Sequence, residues 1–155
     1  MRGFTLIELI ACIAIIAVLA ALAGPRFVGT QPFDQRGYAD ELAAALRYAD
    51  GVAVATGCNV TFTVIPTGPT AGYSALQQPV GAGNTCAPAG LYTQQVIRAD
   101  GTPLSGAPPA DANVVTGGTI IFGAAGGVLS TPVPVFNIGP FTVTVDASSG
   151  FVTGP

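Results

Sequence analysis

Residues 3–23, GFTLIELIACIAIIAVLAALA, decide how the rest of the chain is read. From Phe4 to Ala23 the run is twenty residues long and apolar apart from Thr5 and Glu8. As a helix that length crosses a bilayer core of about 30 Å, so residues 4–23 are expected to be a transmembrane helix. Ahead of the run stand only Met1, Arg2 and Gly3. The free amine and Arg2 favour a cytoplasmic N-terminus, which would put the rest of the chain on the other side of the membrane. Glu8 is the anomaly. A carboxylate within an apolar helix costs energy unless it is paired or protonated, so an ionisable residue there points to function. The plainer alternative is that Glu8 lies near enough to the interface to stay hydrated.

Outward from this run, Gly24-Pro25 predicts a kink or local break, because proline removes a helix hydrogen bond and clashes with the preceding turn. Gly29, Pro32 and Gly37 mark GPRFVGTQPFDQRG as the least regular part of the N-terminal arm. Helical pattern resumes in FDQRGYADELAAALRYADGVAVATG, with Asp34 read as its N-cap and Gly57 as its stop. Tyr38, Leu42, Leu46, Ala49 and Ala53 form one apolar stripe. Arg36, Asp40, Glu41, Arg47 and Asp50 are read mostly as a solvated opposite face. Beyond Gly57 come short strand patterns at 59–65, 72–77, 91–97, 119–123, 133–138, 141–146 and 151–153. Asn137-Ile138-Gly139-Pro140 and Asp146-Ala147-Ser148-Ser149-Gly150 are turn chemistry between them and predict antiparallel hairpins. The expected fold is therefore α+β, a long N-terminal helix whose second half packs on a C-terminal antiparallel sheet. Its parts are a leader at 1–3, the span at 4–23, a kinked segment and amphipathic helix at 24–57, and a β-rich domain at 58–155.

Gly3-Phe4-Thr5-Leu6-Ile7-Glu8-Leu9 followed by an apolar helix resembles the type IV prepilin signature. The resemblance implies a prepilin peptidase that cuts after Gly3 and N-methylates the new terminal Phe4. It also implies that the Glu8 carboxylate meets the Phe4 amine of a neighbouring subunit and sets axial register. Opposite charges in a low-dielectric bundle offset each other's desolvation, and a misregistered subunit leaves both unpaired. The helix, the run ALRYADGVAVATGCNVTFTV, TIIFGAAGGVL and FTVTVDASSGFV together resemble the minor pilin and pseudopilin branch typified by the type II secretion H subunit. Residues 33–58 look most like the C-type minor pilin of the mannose-sensitive haemagglutinin pilus. Partners implied are the peptidase, other pilin or pseudopilin subunits, an inner-membrane assembly platform and inner-membrane lipid, with the C-terminal domain in the periplasm until assembly. A pilus-tip binding module is the alternative role. Ala21-Leu22-Ala23 also permits a secretory signal peptide released before Gly24, and an uncleaved anchor is a third possibility.

Composition narrows the remaining chemistry. Half of the 155 residues are apolar and net charge is −3, which argues against disorder. Five arginines without lysine give no broad surface for a nucleic-acid backbone. The chain has no histidine, and its acids stand singly, so neither a metal site nor a cofactor nor a catalytic base is expected. Asp100, Asp111 and Asp146 offer no recognisable carboxylate dyad. Of three cysteines, Cys12 falls in the span as a packing residue. Cys58 and Cys86 fall on the oxidising side and are the pair expected to form a disulfide.

Overall fold

The computed structural model describes residues 5–23, 31–83, 85–110 and 112–155. Two compact units divide the chain, residues 1–31 and 32–155. The first contains α1, Leu6–Ala23. Its charge within the described residues is Glu8 alone, and Leu6, Ile7, Leu9, Ile13, Ile16 and Leu19 all stand exposed. Apolar side chains on every face are what a helix solvated by lipid or by other helices requires. α1 is shorter than the stretch read as a span. No helix among the described residues is long and apolar enough to cross a membrane.

The second unit is built on α2, Gln31–Thr56. The expectation of irregular backbone around Pro32 and Gly37 is corrected here, since both lie in the helix. Pro32 sits in the first turn, where its missing N–H leaves no bond unmade and its fixed φ suits the helix. Asp34 is consequently not the cap but a first-turn residue, with its carboxylate placed toward the positive end of the helix dipole. Gly57 follows the last helical residue with φ of 67°, the left-handed stop that glycine adopts without a Cβ penalty. The stripe Tyr38, Leu42, Leu46, Ala49 and Ala53 is buried throughout, joined by Ala39, Ala43 and Ala45.

That stripe packs on two antiparallel sheets. The larger contains β1 (Val60–Ile65), β2 (Gly72–Gln77), β3 (Gln94–Gln95), β4 (Ser105–Gly106) and β5 (Gly118–Phe122). Its order is β3-β2-β1-β5, with β4 also on β2. The smaller contains β6 (Phe136–Ile138), β7 (Phe141–Val145) and β8 (Val152–Thr153). Residues 113–115 run beside β6, with Val115 N–H donating to the Asn137 carbonyl at 2.9 Å. Alternation aims Val60, Phe62, Val64, Ile120 and Phe122 inward. Phe62 stacks on Tyr73 with ring centroids 5.5 Å apart, and each such buried side chain contributes about 2 kcal/mol of apolar transfer. Of the predicted strand at 91–97 only Gln94–Gln95 is a strand.

One core residue carries a defect. Tyr38 is 2% exposed, yet among the described residues its hydroxyl has no hydrogen-bond partner. Burial, and then the charge of Glu41, push its pKa up to about 12. An unpaired buried hydroxyl forfeits its hydration, so Tyr38→Phe should raise stability by about 1 kcal/mol, or roughly 3 to 5 °C in thermal unfolding. A lowered midpoint would mean that the hydroxyl has a partner in solution.

Candidate assembly site

The N-terminal constellation falls only partly within the described residues. Gly3, Phe4, Gly24 and Pro25, where cleavage and a kink are expected, lie outside them. Glu8 is described. Its backbone N–H donates to the Thr5 carbonyl at 3.1 Å and to Thr5 Oγ1 at 3.4 Å. Thr5 thus caps α1, and Thr5-Leu6-Ile7-Glu8 has the Thr-x-x-Glu spacing of a capping box. That local signal was readable in the sequence and was overlooked beside the anomaly of a charge in an apolar run. Glu8 therefore sits at the third position of a helix start, where a carboxylate also complements the dipole. Its side chain is exposed on the described chain, free to meet a cation from elsewhere.

The charged side chains of α2 are less uniformly solvated than their periodicity suggested. Arg36 and Asp40 do pair on the exposed face, with Nε to Oδ2 at 3.9 Å, an i,i+4 contact of little energetic weight. Three others make tertiary contacts. Glu41 accepts a hydrogen bond from the Tyr73 hydroxyl at 2.6 Å, and that hydroxyl accepts one from Arg98 Nη2 at 2.8 Å. Burial and the bond to Glu41 raise the pKa of Tyr73 well above the ordinary phenol range. The same Arg98 nitrogen donates to the Ser105 carbonyl at 3.1 Å, and the Tyr48 hydroxyl donates to the Ile97 carbonyl at 2.9 Å. Together they tie the β3–β4 connection to α2 around a cleft of about 290 Å³. Gly106 belongs to this arrangement, since a Cβ there would come within 2.5 Å of the Tyr73 ring. Arg47 donates to the Val152 carbonyl at 3.0 Å, and Asp50 packs against Gly150 with its pKa raised by burial. Glu41 and Asp50 flank the apolar stripe at helical spacings of three and four, the signal that would have placed them against the sheet.

Cys58 and Cys86 are joined by a disulfide, with Cα atoms 5.5 Å apart, linking the end of α2 to the loop after β2. Gln78 reinforces the tie by accepting from Asn59 N–H at 2.9 Å and donating to the Ala87 carbonyl at 3.1 Å. Cys12 is free and exposed on α1. Among the described residues no cluster of three or more Cys, Asp or Glu side chains is arranged to hold a metal. Asp100 and Asp146 each close a separate turn; Asp146 accepts from the hydroxyls and amides of Ser148 and Ser149, which hold its pKa down to about 2. Asp111 lies outside the described residues.

Two family models match the chain. The Prokaryotic N-terminal methylation motif covers residues 1–24, and the model described as Type II transport protein GspH covers residues 38–153. No curated protein and no solved structure matches. The first match falls on α1 with its Glu8, the second on the buried stripe of α2 and both sheets.

Proposed function

The chain belongs to the type II transport protein GspH family, and on that premise we propose that it is a minor subunit assembled into a type IV pilus or a type II secretion pseudopilus. The observation that carries the reading is the pairing of two parts with different solvents. α1 exposes apolar side chains on every described face around one carboxylate, while residues 32–155 close their own core. A chain so divided is stable in water only when something covers α1. In this reading the stretch 4–23 spans the inner membrane until assembly, and afterwards neighbouring helices replace the lipid. Apolar burial drives association and contributes no preferred register. Glu8 supplies register by pairing with the Phe4 amine exposed when prepilin peptidase cuts after Gly3. The peptidase, the assembly platform and the other filament subunits are its partners, and the subunit is structural, with no reaction assigned to it.

Intact mass and terminal sequencing of the protein from its native membrane test the reading. The expected first residue is N-methylated Phe4. A start at Gly24 would make the chain a released secreted domain, and an unprocessed Met1 an ordinary anchored one, either of which overturns the assembly role.

A further inference from the structure

The sheet edges of residues 32–155 are treated unequally. β5 is closed by residues 128–130, with Leu129 N–H donating to the Ile121 carbonyl at 2.7 Å and Ile121 N–H donating to Ser130 Oγ at 3.1 Å. β6 is flanked by residues 113–115, Arg47 caps the Val152 carbonyl of β8, and Arg98 caps the Ser105 carbonyl of β4. β3 differs. Val96 N–H donates to the Ala75 carbonyl at 3.1 Å and Gln94 pairs with Gln77, so alternation turns the N–H and C=O of Gln95 away from β2. Among the described residues neither group has a partner on that side. Soluble proteins guard such an edge by keeping it short or with charge, proline or a covering segment, and two-residue β3 has the first of these. Here no charged residue occurs from Pro79 to Ile97, Gln94 and Gln95 are exposed, and Leu91 and Ile97 stand 48% and 46% exposed beside them.

We propose that this β3 edge is a docking site for an extended, uncharged strand of a neighbouring filament subunit, added by main-chain hydrogen bonds at Thr93 and Gln95; it rests on the subunit reading above. The occupant follows from the edge. Unpaired backbone groups in extended conformation match a strand rather than a helix, and an uncharged border leaves a charged strand without a counter-ion. A polar filament relates subunits by rotation and rise, so the facing edge belongs to a different surface of the neighbour. The contact is short and weak alone, but α1 packing holds subunits together and makes a few added bonds effective through high local concentration.

Gln95→Pro tests it, because proline deletes an outward N–H that β2 does not use and is tolerated on a strand edge. The full chain should keep its thermal midpoint in detergent and its membrane insertion, yet enter filaments several-fold less. Gln95→Ala, which keeps the N–H, should enter like the wild type. Hydrogen exchange at the Gln95 amide of the wild type should slow about tenfold between micelles and filaments, the protection one or two added bonds confer. Equal exchange in both states, full incorporation of Gln95→Pro, or equal loss in both variants would overturn strand addition. Slowing in concentrated micelles without filaments would make the occupant a second copy of this chain and overturn the proposed one. Failure of the wild type to enter filaments would instead overturn the subunit reading, and this proposal with it.

Discussion

Glu8→Ala is expected to be produced and inserted into the membrane while its incorporation into filaments falls by at least about tenfold. The proposed pair loses one partner, which leaves the Phe4 amine of the neighbour charged in an apolar bundle. Breaking a buried pair on one side costs about 3 to 5 kcal/mol, more than the pair's net contribution, because the orphaned charge keeps its desolvation penalty. The capping geometry adds a rival cause, since alanine also removes the third residue of the Thr5-x-x-Glu8 box and frays the helix start by about 1 kcal/mol. Glu8→Gln separates the two. Glutamine supports a capping box but carries no charge, so the register mechanism requires it to fail almost as badly as alanine. Quantifying each variant in sheared filaments against its level in the membrane decides the matter. A glutamine variant that assembles normally would make Glu8 a helix-start residue, and normal assembly of both would remove its role altogether.

The helix and the larger sheet were legible because their burial is periodic. Tyr38, Leu42, Leu46, Ala49 and Ala53 could be assigned from spacing alone, and residues 72–77 are a strand over the range their alternation marked. Gly57 read as the helix stop because glycine takes its positive φ without a Cβ penalty. Legibility failed where a residue's local preference and its position disagree. Pro32 and Gly37 weaken a helix interior, but Pro32 lies in the first turn, and the roughly 1 kcal/mol of backbone entropy that Gly37 costs is outweighed by burial of the adjoining stripe. β4 is two residues long and one is glycine, so no periodicity could announce Ser105–Gly106. The run at 91–97 has strong strand propensity, but only Gln94–Gln95 pair with β2 as a strand, while Val96 and Ile97 turn to residues 103–104 through an isolated bridge.

The polar contacts were hidden for another reason. Glu41, Tyr73 and Arg98 are separated by 32 and 25 residues, and no local pattern links them. They meet because α2 crosses the sheet with one flank toward β2 and the β3–β4 connection. Such contacts depend on topology, whereas the prepilin signature is a contiguous string. Function class was therefore readable from residues 3–9, while the surfaces that choose neighbours were not.

Cys86→Ala is expected to lower the stability of residues 32–155 by about 3 kcal/mol, or roughly 10 °C in thermal midpoint, with the reduced wild type falling by a similar amount. The bridge closes a loop with a sequence separation of 28 residues, and in the chain-entropy view it acts by restricting the unfolded chain. Cys86 is the site to change because it is exposed, whereas Cys58 is fully buried and its replacement would also disturb packing. The loop retains other anchors in the variant: Ala87 N–H donates to the Pro79 carbonyl at 3.0 Å, and Gln78 holds both Asn59 and Ala87. Those bonds predict that the loss is global, since the folded loop keeps its place while the unfolded chain gains freedom. Denaturant unfolding should show a lower midpoint with near-wild-type incorporation at low temperature. Unchanged stability on reduction would mean that these hydrogen bonds fix the junction without it, and that the disulfide serves the oxidised subunit only as a redundant clasp.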